Sequence, residues 1–245
     1  MIFACLKISL LLVFISGFYS CDKRDMPPAY SKAKFLVSVK SSEKPLLWDS
    51  INYINAAGNK YSISRLNFYI SGVRYKKADG TGYISRKVFY LDPATSGFSQ
   101  FNVDSIPPGN YNEISFYLGP EPSQNKTLAL GNALYNINMA WPDNMGGGYH
   151  FMKLEGHYLD TMNVKKGYAI HLGRNENLPE VRIKLNVNQK YWEHNYLLTF
   201  DVNQVFAGIY TYNLNVDPNY TMSDAHAMNK IKTNLENAFT LKQNN

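Results

Sequence analysis

The chain has 245 residues, with 25 Lys and Arg against 19 Asp and Glu, and its basic residues are scattered along the sequence. That distribution describes a mildly basic, solvated surface and lacks the basic stripe that binding to nucleic acid requires. The two cysteines, Cys5 and Cys21, both precede residue 22. The rest of the chain can therefore form no disulfide and no thiolate zinc site and offers no cysteine nucleophile, and a blue-copper centre is excluded because it needs a Cys ligand.

At the N-terminus a single basic residue, Lys7, leads into the apolar run ISLLLVFISGF, which stops before Ser20, Cys21 and the charges of Asp22, Lys23, Arg24 and Asp25. The run is about 11 residues, short of the roughly 18 to 20 that span a bilayer as a helix. Residues 1–20 are accordingly expected to be a cleaved signal peptide. A small residue followed by Cys is similar to the lipoprotein signal, although Phe18 stands where Leu is usual. Cys21 is thus the expected lipidation site, and acyl chains contributing about 0.8 kcal/mol per buried methylene would anchor the protein to a membrane. Loss of Lys7 with the signal leaves 24 basic residues against 19 acidic, a net charge of +5. The expected location is the cell envelope, on the periplasmic or the outer-membrane surface.

Residues 21–32 carry charges and Pro27-Pro28 without apolar period and read as a lipidated tether. Residues 33–242 then suffice for one domain with one core. Apolar residues alternate in Phe35/Val37/Val39, Leu66/Phe68/Ile70, Ile114/Phe116/Leu118 and Val181/Ile183/Leu185/Val187, and each set marks a strand with one buried face. Turn signals separate them at Gly58-Asn59, Asp79-Gly80, Asp92-Pro93, Pro107 to Asn110 and Gly146-Gly147-Gly148. With 19 Tyr and 13 Phe suited to pleated surfaces, the expected fold is all-β, an antiparallel β-sandwich. A C-terminal amphipathic helix is expected to follow, capped by Ser223 and burying Met228, Ile231, Leu235 and Phe239.

The chain contains no GxSxG elbow, Walker loop, GxGxxG or HExxH. Acid pairs such as Glu113 or Glu155 with Asp201 have the chemistry of glycoside hydrolysis, but no spacing brings them together, and the protein is expected not to be an enzyme. Chemistry concentrates instead in residues 139–173. These hold Trp141, three of the five histidines (His150, His157, His171) and four of the eight methionines (Met139, Met145, Met152, Met162). Imidazole and thioether together suit copper. Alternatively, His150 shares strand parity with Met152 and Leu154 and would be a core histidine bonded to a carbonyl. His157 has the opposite parity, so a bulge or turn would be needed to bring the two together. Methionines are also gap fillers, and Trp141 beside Pro142 and a Gly-rich turn suits a loop anchor. His194 and His226 read as surface or helix residues.

Taken in order, several segments resemble the MbnP-like family of copper-binding periplasmic proteins. Leu66 to Val73 resembles its FYIS strand, and Ile106 to Tyr111 followed by Ile114 to Gly119 its IPAG-Y-I-F-IG stretch. Met139-Ala140-Trp141 with Gly148 to Gly156, then His171-Leu172-Gly173, then Asp201-Val202-Asn203 with Phe206 and Gly208 complete the match. The resemblance implies a β-sandwich that binds copper through histidines and an oxidised tryptophan. It further implies a partner di-haem enzyme of the cytochrome c peroxidase type that converts this tryptophan to kynurenine. Carried over by position, Trp141 is the tryptophan, His150 and His171 the metal-binding imidazoles, and His157 a third candidate. The family often has a second Trp where this chain has Asp143.

The expected function is that of a non-catalytic copper-binding envelope lipoprotein. The alternative is a lipid-anchored β-sandwich scaffold that binds a partner protein or a glycan without metal, with Trp192 beside Tyr191 as one aromatic contact.

Overall fold

A computed structural model describes residues 30–190 and 192–244. The expected signal peptide, Cys21 and most of the tether lie outside the described residues, as does Tyr191. Among the described residues no helix is long and apolar enough to cross a membrane.

Thirteen strands are described: β1 (Ser31–Ser41), β2 (Lys44–Pro45), β3 (Tyr53–Ile54), β4 (Lys60–Tyr61), β5 (Arg65–Lys76), β6 (Gly82–Leu91), β7 (Gln100–Ile106), β8 (Gly109–Leu118), β9 (His150–Leu159), β10 (Lys165–Gly173), β11 (Glu180–Gln189), β12 (Glu193–Asp201) and β13 (Phe239–Asn244). One sheet has the order β13-β12-β1-β2, with β7 also on β1; the other runs β11-β8-β5-β9-β4-β3, with β6 on β5 and β10 on β9. The sheets form a curled half-barrel. The fold is all-β, as the alternating pattern predicts. One pair departs from the antiparallel expectation: β1 and β12 run parallel from Lys32↔Glu193 to Lys40↔Asp201. Strands so far apart in sequence are joined by no hairpin, so nothing local forces them antiparallel.

The inner faces meet in an aromatic core. Phe68 on one sheet packs edge-on against Phe200 on the other at 5.6 Å, and Phe116 meets Phe239 at 5.4 Å. Phe35 stacks on Phe101 at 4.6 Å and on Tyr196 at 5.0 Å. Burial of each such ring contributes about 1.5–3 kcal/mol. The longest expected alternation is only half realised. Val181 and Val187 are buried while Ile183 and Leu185 are half-buried, because β11 is an edge strand whose register on β8 slips between Lys184 and Val187.

Three short helices join the strands: α1 (Leu134–Asn138), α2 (Gln204–Ala207) and α3 (Ala225–Leu235). Helix α3 buries Met228, Ile231 and Leu235, but two details of the expectation change. Its cap is Asp224, not Ser223, since the Asp224 carboxylate accepts from the Ala227 N–H at 2.7 Å. Phe239 is not on the helix; it opens β13 and stacks on Phe200 at 4.4 Å. His226 is exposed on the first turn of α3. His194, expected as a surface or helix residue, is buried in β12, where its Nε2 accepts from the Lys190 N–H at 2.9 Å and its Nδ1 lies 3.0 Å from Gln243 Nε2.

Candidate metal centre

The segment that concentrated Trp, Met and His in the sequence folds as a pinned loop leading into β9. Its two ends zip together: the His150 N–H donates to the Met139 carbonyl at 2.7 Å and the Trp141 N–H to the Gly148 carbonyl at 2.9 Å. Between them the chain makes a 3-10 turn at Asp143–Met145 and then runs through Gly146, Gly147 and Gly148 with φ of 110°, 67° and 83°. Only glycine takes up such angles readily, and a Cβ on Gly147 would lie 2.6 Å from Thr127 Oγ1. The segment at 125–127 backs the loop through Thr127 Oγ1 to Asp143 at 2.6 Å and Asn125 Oδ1 to the Tyr149 N–H at 2.9 Å.

Trp141 is 1% exposed, its indole N–H donating to the Met145 carbonyl at 3.2 Å. Its six-membered ring lies flush on Gly173, where an added Cβ would come 2.5 Å from the indole. The glycine that ends β10 is therefore a seat for the tryptophan.

The pairing of β9 with β10 places the histidines. Lys153 opposes His171 and Met152 opposes Leu172, but His150, not Phe151, opposes Gly173. Phe151 is the extra residue of a β-bulge, and a bulge reverses the facing of what lies beyond it. His150 therefore leaves the core face of Met152 and Leu154 and joins the face that carries His171. The rings of His150 and His171 stand 5.0 Å apart at 89°, and Trp141 lies 4.7 Å from His150. Trp141, His150 and His171 converge. His157 does not: it opposes Gly167, seven residues further along β9, roughly 20 Å away at the rise of an extended chain. The methionines also disperse. Met139 and Met152 are buried in packing clusters, Met145 is partly buried against the core, and Met162 is exposed in the turn after β9.

Hydrogen bonding leaves each imidazole with one free nitrogen. Nδ1 of His150 donates to the Met139 carbonyl at 3.2 Å, while its Nε2 is buried with no hydrogen-bond partner among the described residues. Burial first, then the charge of Lys153 and the neighbouring His171, pushes the His150 pKa down to about 3, so the ring is neutral and Nε2 carries a lone pair. His171 gives Nε2 to Glu155 Oε1 at 2.9 Å, and its Nδ1 has no hydrogen bond within the described structure. The His171 backbone is clamped on both sides by Thr221, at 2.8 and 2.6 Å. Glu155 is held in turn by Arg65, whose Nη1 lies 3.2 Å from both carboxylate oxygens. The hydrogen bond from His171, together with Arg65, keeps its carboxyl below the usual range against the opposing effect of burial. Beside them Lys153 Nζ donates to the Asn138 carbonyl at 2.6 Å, and burial lowers its pKa.

The donor set is thus two imidazoles, the His150 ring neutral, beside an indole, with a carboxylate behind His171. Among the described residues no group of three His, Cys, Asp or Glu is placed to hold a metal ion. Arg65 and Thr221 carry no sequence signal of their own, and the roles of Glu155 and Lys153 beside His171 are revealed only by the register. Asp201 is engaged elsewhere, its carboxylate accepting from the N–H groups of Ser42 and Asn203.

The MbnP family model matches residues 31–227. Among solved structures, MbnP from Methylosinus trichosporium shares the fold with a TM-score of 0.55 at 12% identity, covering 86% of this chain and 98% of that one. No curated protein sequence matches. On the extent of the family match, which runs from β1 into α3, this chain belongs to the MbnP family.

Proposed function

We propose that this protein is a non-catalytic copper carrier of the cell envelope, lipid-anchored through Cys21, whose metal is held by His150 Nε2 and His171 Nδ1 against the Trp141 indole. The observation that carries this reading is the orphaned Nε2 of His150, a buried lone pair without a hydrogen bond on a ring that faces a second imidazole. A buried acceptor left unpaired costs about 1–3 kcal/mol, and a purely structural histidine would find it a donor. A soft or borderline metal meets that need, and imidazole suits copper. Family membership supports the choice of metal.

The protein's own groups do the positioning. Glu155 fixes which nitrogen of His171 is free, and Arg65 fixes Glu155, as carboxylates commonly orient metal-binding histidines. Gly173 seats the indole beside His150 and walls off water on that side. Any oxidation of Trp141 would need an external oxidant, and the di-haem peroxidase-type partner implied by resemblance is the proposed source.

The test is metal loading. The chain from residue 22 onward is incubated with copper under reducing conditions, desalted and assayed for metal. One copper per chain is expected, lost in His150→Ala and in His171→Ala but kept in His157→Ala. Absence of stoichiometric metal in the folded wild-type protein would overturn the proposal.

A further inference from the structure

A second concavity shares no lining residue with the His150–His171 pair. The edge strand of one sheet, β11, meets the edge strand of the other, β13, in a seam without ladder hydrogen bonds. At one end of that seam is a cleft of about 560 Å³, within the range of small-molecule sites. Trp192, just before β12, stands in it with 59% of its surface exposed. Lys190 Nζ sits over the indole at 5.1 Å, and the His194 ring runs nearly parallel to it at 6.1 Å and 16°. His194 is itself fixed by hydrogen bonds to the Lys190 N–H and to Gln243. More than half of the indole stays open to solvent.

The other walls are carboxamides. Asn186 and Asn188 project from β11, Asn195 from β12, and Gln243 and Asn244 from β13. The alternation of side chains along each strand puts Asn186 and Asn188 on one face. Among the described residues, the amides of Asn186, Asn188, Asn195 and Asn244 make no side-chain hydrogen bond within the protein. A carboxamide both donates and accepts, which matches hydroxyl groups that do the same. An indole face offers an apolar platform with a polar edge, which matches the C–H face of a pyranose ring. The cleft's charges, Lys190 and Glu193, cancel, which disfavours a nucleic acid, whose phosphates require an excess of cations. The polar walls lack the apolar centre of a protein–protein interface.

From this juxtaposition of an open indole with four unengaged carboxamides, we infer that the β11–β13 cleft binds a neutral oligosaccharide, one sugar ring stacked on Trp192. The site shares no residue with the His150–His171 pair and stands whether or not copper binds there.

The experiment is calorimetric titration of the chain from residue 22 onward with cellohexaose, maltohexaose, xylohexaose, mannohexaose and chitohexaose, with the indole N–H resonances followed in parallel. Saturable binding of at least one of these probes is expected, with the shift confined to the Trp192 resonance. In Trp192→Ala the affinity falls about tenfold or more, the scale for truncating an aromatic anchor. Asn188→Leu, which keeps the indole and tests the amides separately, also weakens binding, and His150→Ala leaves it unchanged. Circular dichroism confirms the fold of each variant. No saturable binding by any of the five probes overturns the inference, and so does binding that survives Trp192→Ala at full strength.

Discussion

His150 and His171 stand perpendicular with their rings 5.0 Å apart, although unbroken alternation along β9 would put them on opposite faces of the sheet. The bulge at Phe151 resolves the conflict, and in doing so it exposes a buried imidazole nitrogen to a second ring and an indole. Three contacts hold the site, one each from β10, β9 and the residue after α1. Gly173 receives Trp141, Glu155 receives His171 and the Met139 carbonyl receives His150, so each support can be removed separately.

Gly173→Ala tests the seat of the indole. The new Cβ would lie 2.5 Å from the ring, too close for any relaxed contact, and Trp141 is too buried to swing away. Overpacking of this kind costs about 1–3 kcal/mol. Chemical denaturation should show that loss, and copper retention should fall with it, because a displaced indole disturbs His150. Unchanged stability would mean that the ring moves freely and that the seat has no structural role.

Glu155→Gln removes the charge that orients His171. The carboxylate accepts from His171 Nε2 and from Arg65, and an amide can satisfy only part of that arrangement. Loss of such an outer partner lowers metal affinity about 10- to 100-fold. Copper competition with a chelator should reveal a drop of that order at unchanged stoichiometry. Arg65→Ala acts one step further out on an exposed pair, and a smaller change is expected there.

Acid should destabilise the protein through His150. Its pKa in the fold is about 3 against an ordinary 6.5, so the native state refuses a proton that the unfolded chain accepts. Between those values the unfolded state binds more protons, and stability falls as pH falls. The stability carried by neutral His150 is fully present above pH 6.5 and is lost on the way down to about pH 3, at no more than about 1.4 kcal/mol per pH unit. Urea unfolding at pH 7, 5 and 4 measures the slope. His150→Leu should flatten it; an equal slope in both proteins would assign the acid sensitivity to other groups.

Much of the fold was legible because alternation reports a buried face directly. Phe35, Phe68, Ile114 and Phe116 all point into the core that their spacing assigned to them. Spacing is blind to events between strands. The parallel pairing of β1 with β12 and the register slip that lifts Ile183 and Leu185 toward solvent depend on partners far away in sequence. The candidate site divides in the same way. Trp141, His150 and His171 stood out as residue types, whereas their convergence depends on one inserted residue, Phe151, that looks like any other strand phenylalanine. His157 lies apart from them for the converse reason, since proximity in sequence along an extended strand means distance in space.

The two neighbouring cap candidates of α3 give a prediction that separates sequence from structure. Asp224, not Ser223, accepts the Ala227 N–H, and Asp224→Ala should cost about 1 kcal/mol, whereas Ser223→Ala at an exposed position should stay within about 0.5 kcal/mol. The helix matters to the site because its Met228 Sδ lies 3.6 Å from Asn177 Nδ2, which also holds the Gly173 carbonyl at 3.0 Å. Fraying at the cap leaves Met228 in the body of the helix, so copper retention in Asp224→Ala should match wild type at temperatures where the protein remains folded. Parallel loss of copper and stability in that variant would instead make α3 part of the metal centre's support.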